Sequence, residues 1–265
     1  MSRAGLPVVA LVTAYNEAPT IGAILDVLTA CSSVDWVQVV DDGSTDGTAA
    51  IAAKAGASVR RLEERVPVGA AIMHHLPTVP DEAILLWCDA DLVGLEVAHI
   101  EELIARFREG ELMQVMSSRG VPPSWPKGLR NRAVKAGWAW LFGPISGERV
   151  ILYRDFDAAI RLAQQLQWAE MMRGYGIVLF LNWYAAQFGK GSRVCYFDTL
   201  RQRQKYQKWE GKVRNPGREM IRQWLQFARV WLKIRWNAPH IRRLARADRS
   251  NSGSQSEATL SKSEK

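Results

Sequence analysis

The chain has 265 residues, of which 48% are hydrophobic and 23% charged, a composition typical of a globular protein with a sizeable core. No apolar segment approaches the roughly 18 to 20 residues that cross a bilayer, so the sequence argues against an integral membrane protein. Three widely spaced cysteines, Cys31, Cys88 and Cys195, match neither a zinc pattern nor a disulfide framework. We therefore expect a reducing, cytoplasmic setting.

The net charge of +8 is concentrated near the end of the sequence. Between Arg201 and Arg249 there are fifteen Lys and Arg residues against three Asp and Glu residues, which leaves the rest of the chain slightly acidic. Residues 250–265 contain almost no large apolar side chain, and this composition predicts disorder. We expect a folded domain over residues 1–212, a basic helical extension over 213–249 and a disordered tail over 250–265.

The first hundred residues alternate between strand-like and helix-like segments. Apolar runs predict strands at "VVALVTAY", "VDWVQVV" and "AILLWCD", with a short strand near "ASVRRL". Helical spacing is found in "EAPTIGAILDVLTAC", in "STDGTAAIAAKAGA", which Ser44 or Thr45 would cap, around residues 68–76 and in "EVAHIEELIARFREG". This alternation predicts an α/β fold, a mostly parallel sheet with helices on both faces.

The second half mixes the two patterns. Strands are predicted in "ELMQVMSSRG" and "RVCYFD", and "PISGERVILYRDF" reads as a loop that enters a short strand. Helices are predicted in "WPKGLRNRAVKAGWAWLFG", "AAIRLAQQLQWAEMM" and "IVLFLNWYAAQFG", and a further helix between Pro216 and Pro239.

Polar residues follow three of the predicted strands, at Asn16-Glu17, Asp41-Asp42 and Asp89-Asp91. In open parallel sheets, ligands bind beyond the carboxyl ends of the strands, so these groups should share one binding edge. Two aspartates at i and i+2 on an extended segment point the same way, and both can face a cation. Capping of the following helix is the alternative for this pair, and turn formation is the alternative for Asp42-Gly43-Ser44.

In this order, "VTAYNEAPTIGAIL", "VVDDGSTDGTAAIA" and "DAD" resemble the nucleotide-sugar-binding half of family-2 glycosyltransferases, which share the Rossmann-like GT-A fold. Looser similarity through "ISGER" and "RGYGI" resembles the polyprenyl-phosphate glycosyltransferase and glucosyl-phosphoglycerate synthase branches. The resemblance implies that Asp89 and Asp91 bind Mg²⁺ or Mn²⁺, which offsets the charge of the leaving diphosphate. It also implies a nucleotide-sugar site that comprises Thr13, Ala14, Tyr15, Glu17, Asp41, Asp42, Gly43, Asp89 and Asp91.

Two carboxylates are catalytic candidates. Asp91 would act through the metal, and Glu148 in "ISGERV" would be the general base of an inverting transfer. A surface ion pair between Glu148 and Arg149 is the alternative for that residue, and a retaining enzyme needs no such base. The sequence departs from the family at Val68, where a lysine is usual, at Val178, where an acid is frequent, and at Gln202, where a metal-binding histidine is frequent. These departures motivate a second hypothesis, a catalytically lapsed sugar-nucleotide-binding protein that works as a membrane-associated partner.

The basic end predicts an amphipathic helix. Its apolar stripe and its basic face favour an anionic membrane interface, and packing on the catalytic domain is the alternative. The stripe consists of Met220, Trp224, Phe227, Trp231 and Ile234, extended by Ile221, Leu225, Ala228 and Leu232. Nucleic-acid binding is disfavoured because no such motif is present, and a dinucleotide-dependent oxidoreductase because no GxGxxG follows the first strand. We expect a glycosyltransferase, peripheral on the cytoplasmic face of a membrane, that moves a sugar from a UDP- or GDP-sugar to a lipid, lipid-phosphate or small phosphorylated acceptor.

Overall fold

A twisted sheet organises the chain in the computed structural model, which describes residues 3–66, 72, 79–110, 112–119, 148–167, 176–188, 191–202, 225–226 and 228–246. The strands of these ranges are β1 (Val8–Ala14), β2 (Trp36–Asp41), β3 (Ser58–Arg61), β4 (Ile84–Asp89), β5 (Leu92–Val93), β6 (Gln114–Arg119), β7 (Arg149–Leu152), β8 (Ser192–Phe197) and β9 (Arg201–Gln202). Seven strands pair in the order β3-β2-β1-β4-β7-β6-β8, and β5 pairs separately with β9.

All strands of the main sheet run parallel except β7, which lies antiparallel between β4 and β6. The predicted mostly parallel sheet is therefore confirmed. The carboxyl ends of β1, β2, β4 and β6 lie at one edge, and the amino end of β7 joins them there. This arrangement gathers the candidate site residues, because most of them directly follow these strands or precede β7.

Helices cover both faces of the sheet and divide the core in two. The described helices are α1 (Ile21–Ala30), α2 (Thr48–Lys54), α3 (Val97–Glu109), α4 (Tyr153–Gln165), α5 (Gly176–Phe188) and α6, residues 228–246. Side chains of α1 and α3 pack on one face with Leu86 and Cys88, whereas α4, α5 and α6 pack on the other with Leu85 and Trp87. Successive side chains of β4 point to opposite faces of the sheet and so enter the two cores in turn. The apolar residues of the strand are therefore all buried, which explains its continuous apolar sequence.

Two helix boundaries differ from the sequence prediction. The segment "YRDF" opens α4 instead of ending a strand, and α2 begins only at Thr48, after Gly47 in a left-handed conformation. Of the predicted helix near residues 68–76 only Ile72 is described, and it is helical. The predicted helix in "WPKGLRNRAVKAGWAWLFG" and the predicted tail over 250–265 lie outside the described residues.

Helix α6 differs from its predicted form in two ways. It continues through Pro239, where the sequence suggested an end. In addition, two described members of the predicted apolar stripe lie on opposite sides: Ile234 packs into the core, whereas Leu232 is 57% exposed. Other members of that predicted stripe, Met220, Ile221, Trp224 and Phe227, lie outside the described residues. The core-facing residues of α6 are Val230, Ile234, Ala238, Ile241 and Ala245. Among the described residues, no helix combines the length and the apolar character that spanning a bilayer requires.

Candidate active site

Backbone hydrogen bonds join the ends of three adjacent strands beyond the sheet itself. Strand β1 lies between β2 and β4, with Ala14 paired to Asp41 and Thr13 to Asp89. Just past these pairs, the Asp42 N–H donates to the Ala14 carbonyl oxygen at 2.9 Å, and the Ala90 N–H donates to that of Thr13 at 3.2 Å. The two aspartate groups of the sequence prediction are thus fixed on either side of β1, at one edge.

The loop after β2 is crosslinked to the loop after β1. The fully buried Asp41 accepts a hydrogen bond from the Ser44 N–H at 3.1 Å, and the Ser44 hydroxyl accepts one from the Asn16 N–H at 2.9 Å. The Asn16 side chain accepts another from the Thr45 N–H at 2.8 Å. Ser44 and Thr45 therefore connect two loops instead of capping α2, which corrects the sequence prediction. Asn16 adopts a φ of 55°, a left-handed conformation that asparagine tolerates better than most residues.

Gly43 allows a third segment to cross this loop. Its φ is 73°, and a Cβ placed on it would lie 3.3 Å from the Arg65 nitrogen and from the Glu64 carbonyl carbon. In the same crossing, the Val66 N–H donates to Asp42 Oδ1 at 2.7 Å. A glycine is required here because both the backbone conformation and the close approach disfavour a side chain.

Each aspartate of the loop lies beside a guanidinium group. Arg61 Nε is 3.4 Å from Asp41 Oδ2, and Arg65 Nε is 4.0 Å from Asp42 Oδ2. The Arg65 guanidinium also lies over the Tyr15 ring, 4.1 Å from its centroid. Burial raises the pKa of Asp42, against the opposing effects of the Val66 N–H and of Arg65. The site thus combines a partly desolvated carboxylate with positive charge and an aromatic surface, a set of groups suited to a nucleoside.

Thr20 holds the "DAD" segment to the first loop. Its hydroxyl donates to the Ala90 carbonyl oxygen at 2.7 Å and lies 3.3 Å from Glu17 Oε2. The Glu17 N–H donates to Thr48 Oγ1 at 2.9 Å, and the Glu17 side chain is buried. Sequence reasoning missed Thr20, because a threonine just before a helix suggests a cap, although its hydroxyl makes no capping bond here.

The two aspartates at the end of β4 differ in exposure. Asp89 is half-buried and faces the positive charge of Arg149, whereas Asp91 is 6% exposed. Carboxylate oxygens are the ligands that Mg²⁺ and Mn²⁺ prefer. Within the ranges that the structure describes, no three Asp, Glu, His or Cys side chains are grouped to hold a metal. Mg²⁺ and Mn²⁺ also accept oxygen ligands from a diphosphate or from water, which would complement the two carboxylates.

Strand β5 directly follows Asp91 and pairs with β9. The backbone of Gln202 lies opposite Leu92, which brings the position of the missing histidine next to the aspartate pair. The turn after β5 is tight: a Cβ on Gly94, whose φ is 75°, would lie 2.5 Å from the Thr199 carbonyl oxygen. His99 is bonded within this region, between the Glu96 N–H and the Thr199 hydroxyl. Its buried, bonded position indicates a structural role.

Glu148 and Arg149 lie at the amino end of β7, at the same edge. Glu148 Oε2 accepts a hydrogen bond from the Ser117 hydroxyl at 2.8 Å. The Arg149 guanidinium donates to Gln114 Oε1 at 3.0 Å, and burial lowers its pKa to about 10 despite the nearby Asp89 and Glu148. Both side chains are buried, so the alternative of a surface ion pair is wrong.

Comparisons with known proteins agree with this geometry. The family model described as "Glycosyl transferase family 2" matches residues 9–158. Among solved structures, glucosyl-3-phosphoglycerate synthase from Mycobacterium tuberculosis in complex with phosphoglyceric acid is similar, with a TM-score of 0.58, 20% identity, and coverage of 87% of this chain and 80% of that chain. The same enzyme with Mn²⁺, UDP-glucose and glycerol 3-phosphate gives a TM-score of 0.52 and 21% identity over 76% of this chain and 74% of that one. A search of curated proteins finds no match.

The family match and the similar solved structures support different conclusions. At about one residue in five identical, the solved structures show a shared fold, which is the GT-A fold predicted from the sequence. The family match covers more than half of the sequence and includes β1, β2, β4, β7 and their polar ends. The chain therefore belongs to glycosyl transferase family 2, and it is a glycosyltransferase.

Proposed function

We propose that this chain is a metal-dependent hexosyltransferase that takes a sugar from a UDP- or GDP-sugar and transfers it to a lipid, lipid-phosphate or small phosphorylated acceptor. The observation that carries the proposal is the attachment of both aspartate groups to one strand end. Asp42 is bonded through its N–H to Ala14, and Ala90, between Asp89 and Asp91, is bonded to Thr13. A nucleoside group and a diphosphate group can therefore be held side by side at one edge.

The donor half of the site would hold the nucleoside. Asp41 and Asp42 provide carboxylate acceptors for a base N–H and ribose hydroxyls, since charge-assisted hydrogen bonds of this kind are strong. Gly43 keeps the loop free of a side chain, and Tyr15 provides an aromatic surface. Thr13, Ala14 and Glu17 complete the proposed set through their places in the same loop.

The second half would hold the diphosphate through Mg²⁺ or Mn²⁺ on Asp89 and Asp91. Such a cation supplies positive charge that offsets the negative charge on the departing diphosphate. Thr20 and Thr13 hold the backbone of the pair in place through Ala90, so its carboxylates are oriented before the donor binds. Solved structures of similar fold contain Mn²⁺ with UDP-glucose, which supports this choice of metal and donor.

Glu148 is the proposed general base if the reaction inverts the anomeric centre. Its carboxylate is sheltered from water and fixed by Ser117, at the edge where an acceptor hydroxyl would approach. A retaining reaction would leave Glu148 with a structural role.

We propose that the acceptor carries a phosphate group and that the basic C-terminal part, residues 218–249, makes peripheral contact with the cytoplasmic face of a membrane. The similar solved structures contain the small phosphorylated molecules phosphoglyceric acid and glycerol 3-phosphate. The basic excess near the end of the sequence would equally attract a lipid phosphate.

Release of UDP or GDP tests the proposal directly. The full chain is incubated with UDP-glucose or a GDP-hexose, Mn²⁺ or Mg²⁺, and glycerol 3-phosphate, phosphoglyceric acid or polyprenyl phosphate. We expect metal-dependent release that Asp91→Ala reduces by about 100-fold or more, since loss of a metal-bound charge costs several kcal/mol. Asp26→Ala, which removes an exposed aspartate on α1, is the matched control.

The result separates the two hypotheses of the sequence analysis. Nucleotide-sugar binding, seen as a rise in the unfolding temperature, without turnover on any acceptor would favour the lapsed binding protein. Absence of both binding and turnover would refute the proposed donor site.

A further inference from the structure

Helix α6 has two apolar sides, and only one of them is covered. Val230, Ile234, Ala238, Ile241 and Ala245 pack into the core beside α4 and α5. On the opposite side Leu232 and Trp236 are 57% and 88% exposed, and Leu225, one turn before α6, is 54% exposed. At 3.6 residues per turn, these three positions lie within about 40° of one another and roughly opposite the packed residues. We call Leu225, Leu232 and Trp236 the exposed stripe.

Positive charge surrounds the exposed stripe. Between residues 225 and 246 the sequence contains six Lys and Arg residues and no Asp or Glu. None of the six lies on the packed side; five are exposed, and Lys233 is half-buried. The six residues are Arg229, Lys233, Arg235, Arg242, Arg243 and Arg246. The stripe is therefore an apolar line on a helix whose charged residues, between 225 and 246, are all basic.

We infer that the exposed stripe is the surface through which this chain contacts an anionic lipid bilayer. This inference depends on the membrane contact of the proposed function and assigns that contact to particular residues. An interfacial helix inserts its apolar side at the level of the headgroups and places its cations against anionic lipid. Tryptophan suits this depth, because its ring is apolar and its N–H remains near water.

Charge complementarity favours lipid over a protein partner. A second copy docked through the same stripe would bring two basic helices together, which is unfavourable at short distance. An anionic bilayer instead neutralises every one of these cations over an extended surface. Because one side of α6 packs into the core, the exposed stripe already faces outward before lipid is present. Binding should therefore cost little conformational entropy.

Flotation with lipid vesicles tests the inference, and point substitutions are needed because truncation would remove core residues of α6. The full chain is mixed with vesicles of phosphatidylcholine alone or with phosphatidylglycerol added. We expect the wild type to float with anionic vesicles, and the double variant Leu232→Ser/Trp236→Ser to partition about tenfold less strongly. Trp36→Ser is the matched control, since Trp36 is also an exposed tryptophan, at the start of β2.

A second variant, Arg242→Gln/Arg243→Gln, tests the charge. It should weaken flotation with anionic vesicles about thirtyfold and leave the low binding to neutral vesicles unchanged, because two basic residues near the surface together contribute about that factor. Size-exclusion chromatography of the wild type and the double variant is run in parallel. Equal flotation of wild type and double variant, equal loss in Trp36→Ser, or a wild-type dimer that the double variant converts to a monomer would each overturn the inference.

Turnover with a water-soluble acceptor keeps this test separate from that of the proposed function. The stripe, Arg242 and Arg243 all lie outside the candidate site. Both double variants should therefore retain wild-type UDP release from UDP-glucose. Loss of flotation with normal turnover supports the inference. Normal flotation of a chain without any turnover would refute the proposed activity and leave the lipid surface in place.

Discussion

The Arg149 guanidinium lies 5.4 Å from the centroid of the Trp87 ring, and both side chains are enclosed by the sheet and its helices. Trp87 Nε1 in turn donates to Thr13 Oγ1 at 3.3 Å. A buried chain of contacts therefore runs from β7, beside the proposed base, to the end of β1 in the donor half of the site. The segment that carries the proposed base and the donor half of the site therefore share one internal support.

Arg149→Met should destabilise the fold strongly. The substitution removes the donor to Gln114 Oε1, which is buried, and takes a positive charge away from Asp89. We expect a loss of about 3 kcal/mol in the free energy of unfolding, measured by urea titration. Arg161→Met, which breaks the pair of an exposed arginine with the half-buried Asp157 at 2.7 Å, is the control and should cost about 0.5 kcal/mol. Equal effects of the two substitutions would contradict the proposed support.

Gly94→Ala should disturb the turn beside the aspartate pair. Its added methyl group would meet the Thr199 carbonyl oxygen at 2.5 Å, in addition to the cost of the left-handed backbone. Gly56→Ala is the matched control, since Gly56 has a similar φ of 83° and nothing within 4 Å of its Cβ position. We expect a loss of about 1 kcal/mol for the control and about 2 kcal/mol more for Gly94→Ala. Thermal unfolding measures both, and similar melting temperatures would show that the turn relaxes freely.

The affinity for UDP-glucose should fall on acidification, at a higher pH than an ordinary aspartate would cause. Burial raises the pKa of Asp42, so its carboxyl takes up a proton at a higher pH than an ordinary aspartate does. A protonated carboxyl accepts hydrogen bonds poorly, so affinity should decrease as the pH falls through this raised pKa. The effect on folding has the opposite sign: stabilisation from the raised pKa is present at acid pH and is lost as the pH rises through it.

Isothermal titration at a series of pH values measures this dependence. Asp42→Asn should bind more weakly at neutral pH, by about tenfold for a lost charge-assisted hydrogen bond, and should lack the acid decrease. UDP-glucose is the suitable probe, because its diphosphate has no terminal phosphate that titrates near neutrality. An unchanged acid decrease in Asp42→Asn would assign it to another group.

Glu148→Gln should reveal whether this carboxylate acts as a base. If it does, kcat should fall about 100-fold or more, with little change in KM for the donor, because general base catalysis contributes at least that factor. Ser117→Ala removes the hydroxyl that holds Glu148 and should lower kcat less. A lowered melting temperature with unchanged kcat in Glu148→Gln would instead indicate a structural carboxylate and favour a retaining reaction.

The strands and the candidate donor site could be predicted from the sequence because their signals are local. Buried parallel strands appear as continuous apolar runs, and the rule that ligands bind at carboxyl ends then places Asp41 and Asp89 together. The burial of Arg149 could not be predicted in this way. Its partners Gln114 and Asn182 lie on other elements, far away in the sequence, and only the assembled core brings them together.

The same distinction explains the errors at α2 and α6. Ser44 resembles a helix cap in sequence, but its hydroxyl accepts a hydrogen bond from the Asn16 N–H. Only the pairing of β1 with β2 brings these two residues together. For α6, periodicity alone indicates an apolar side but not which residues the core will cover. Val230 and Ile234 are covered, whereas Leu232 stays exposed, because the packing surface of the domain selects one side of the helix.

The reversed direction of β7 has a consequence for how the family can vary. Because β7 runs against its neighbours, the chain leaves β6 and re-enters at β7 on the same edge of the sheet, the edge of the candidate site. The described residues on either side of this crossing, Arg119 at the end of β6 and Glu148 just before β7, therefore both lie at that rim. Since the same crossing places Ser117 and Glu148 in contact at this edge, substitutions of these two residues would alter the site while the buried interiors of the strands keep their sequence.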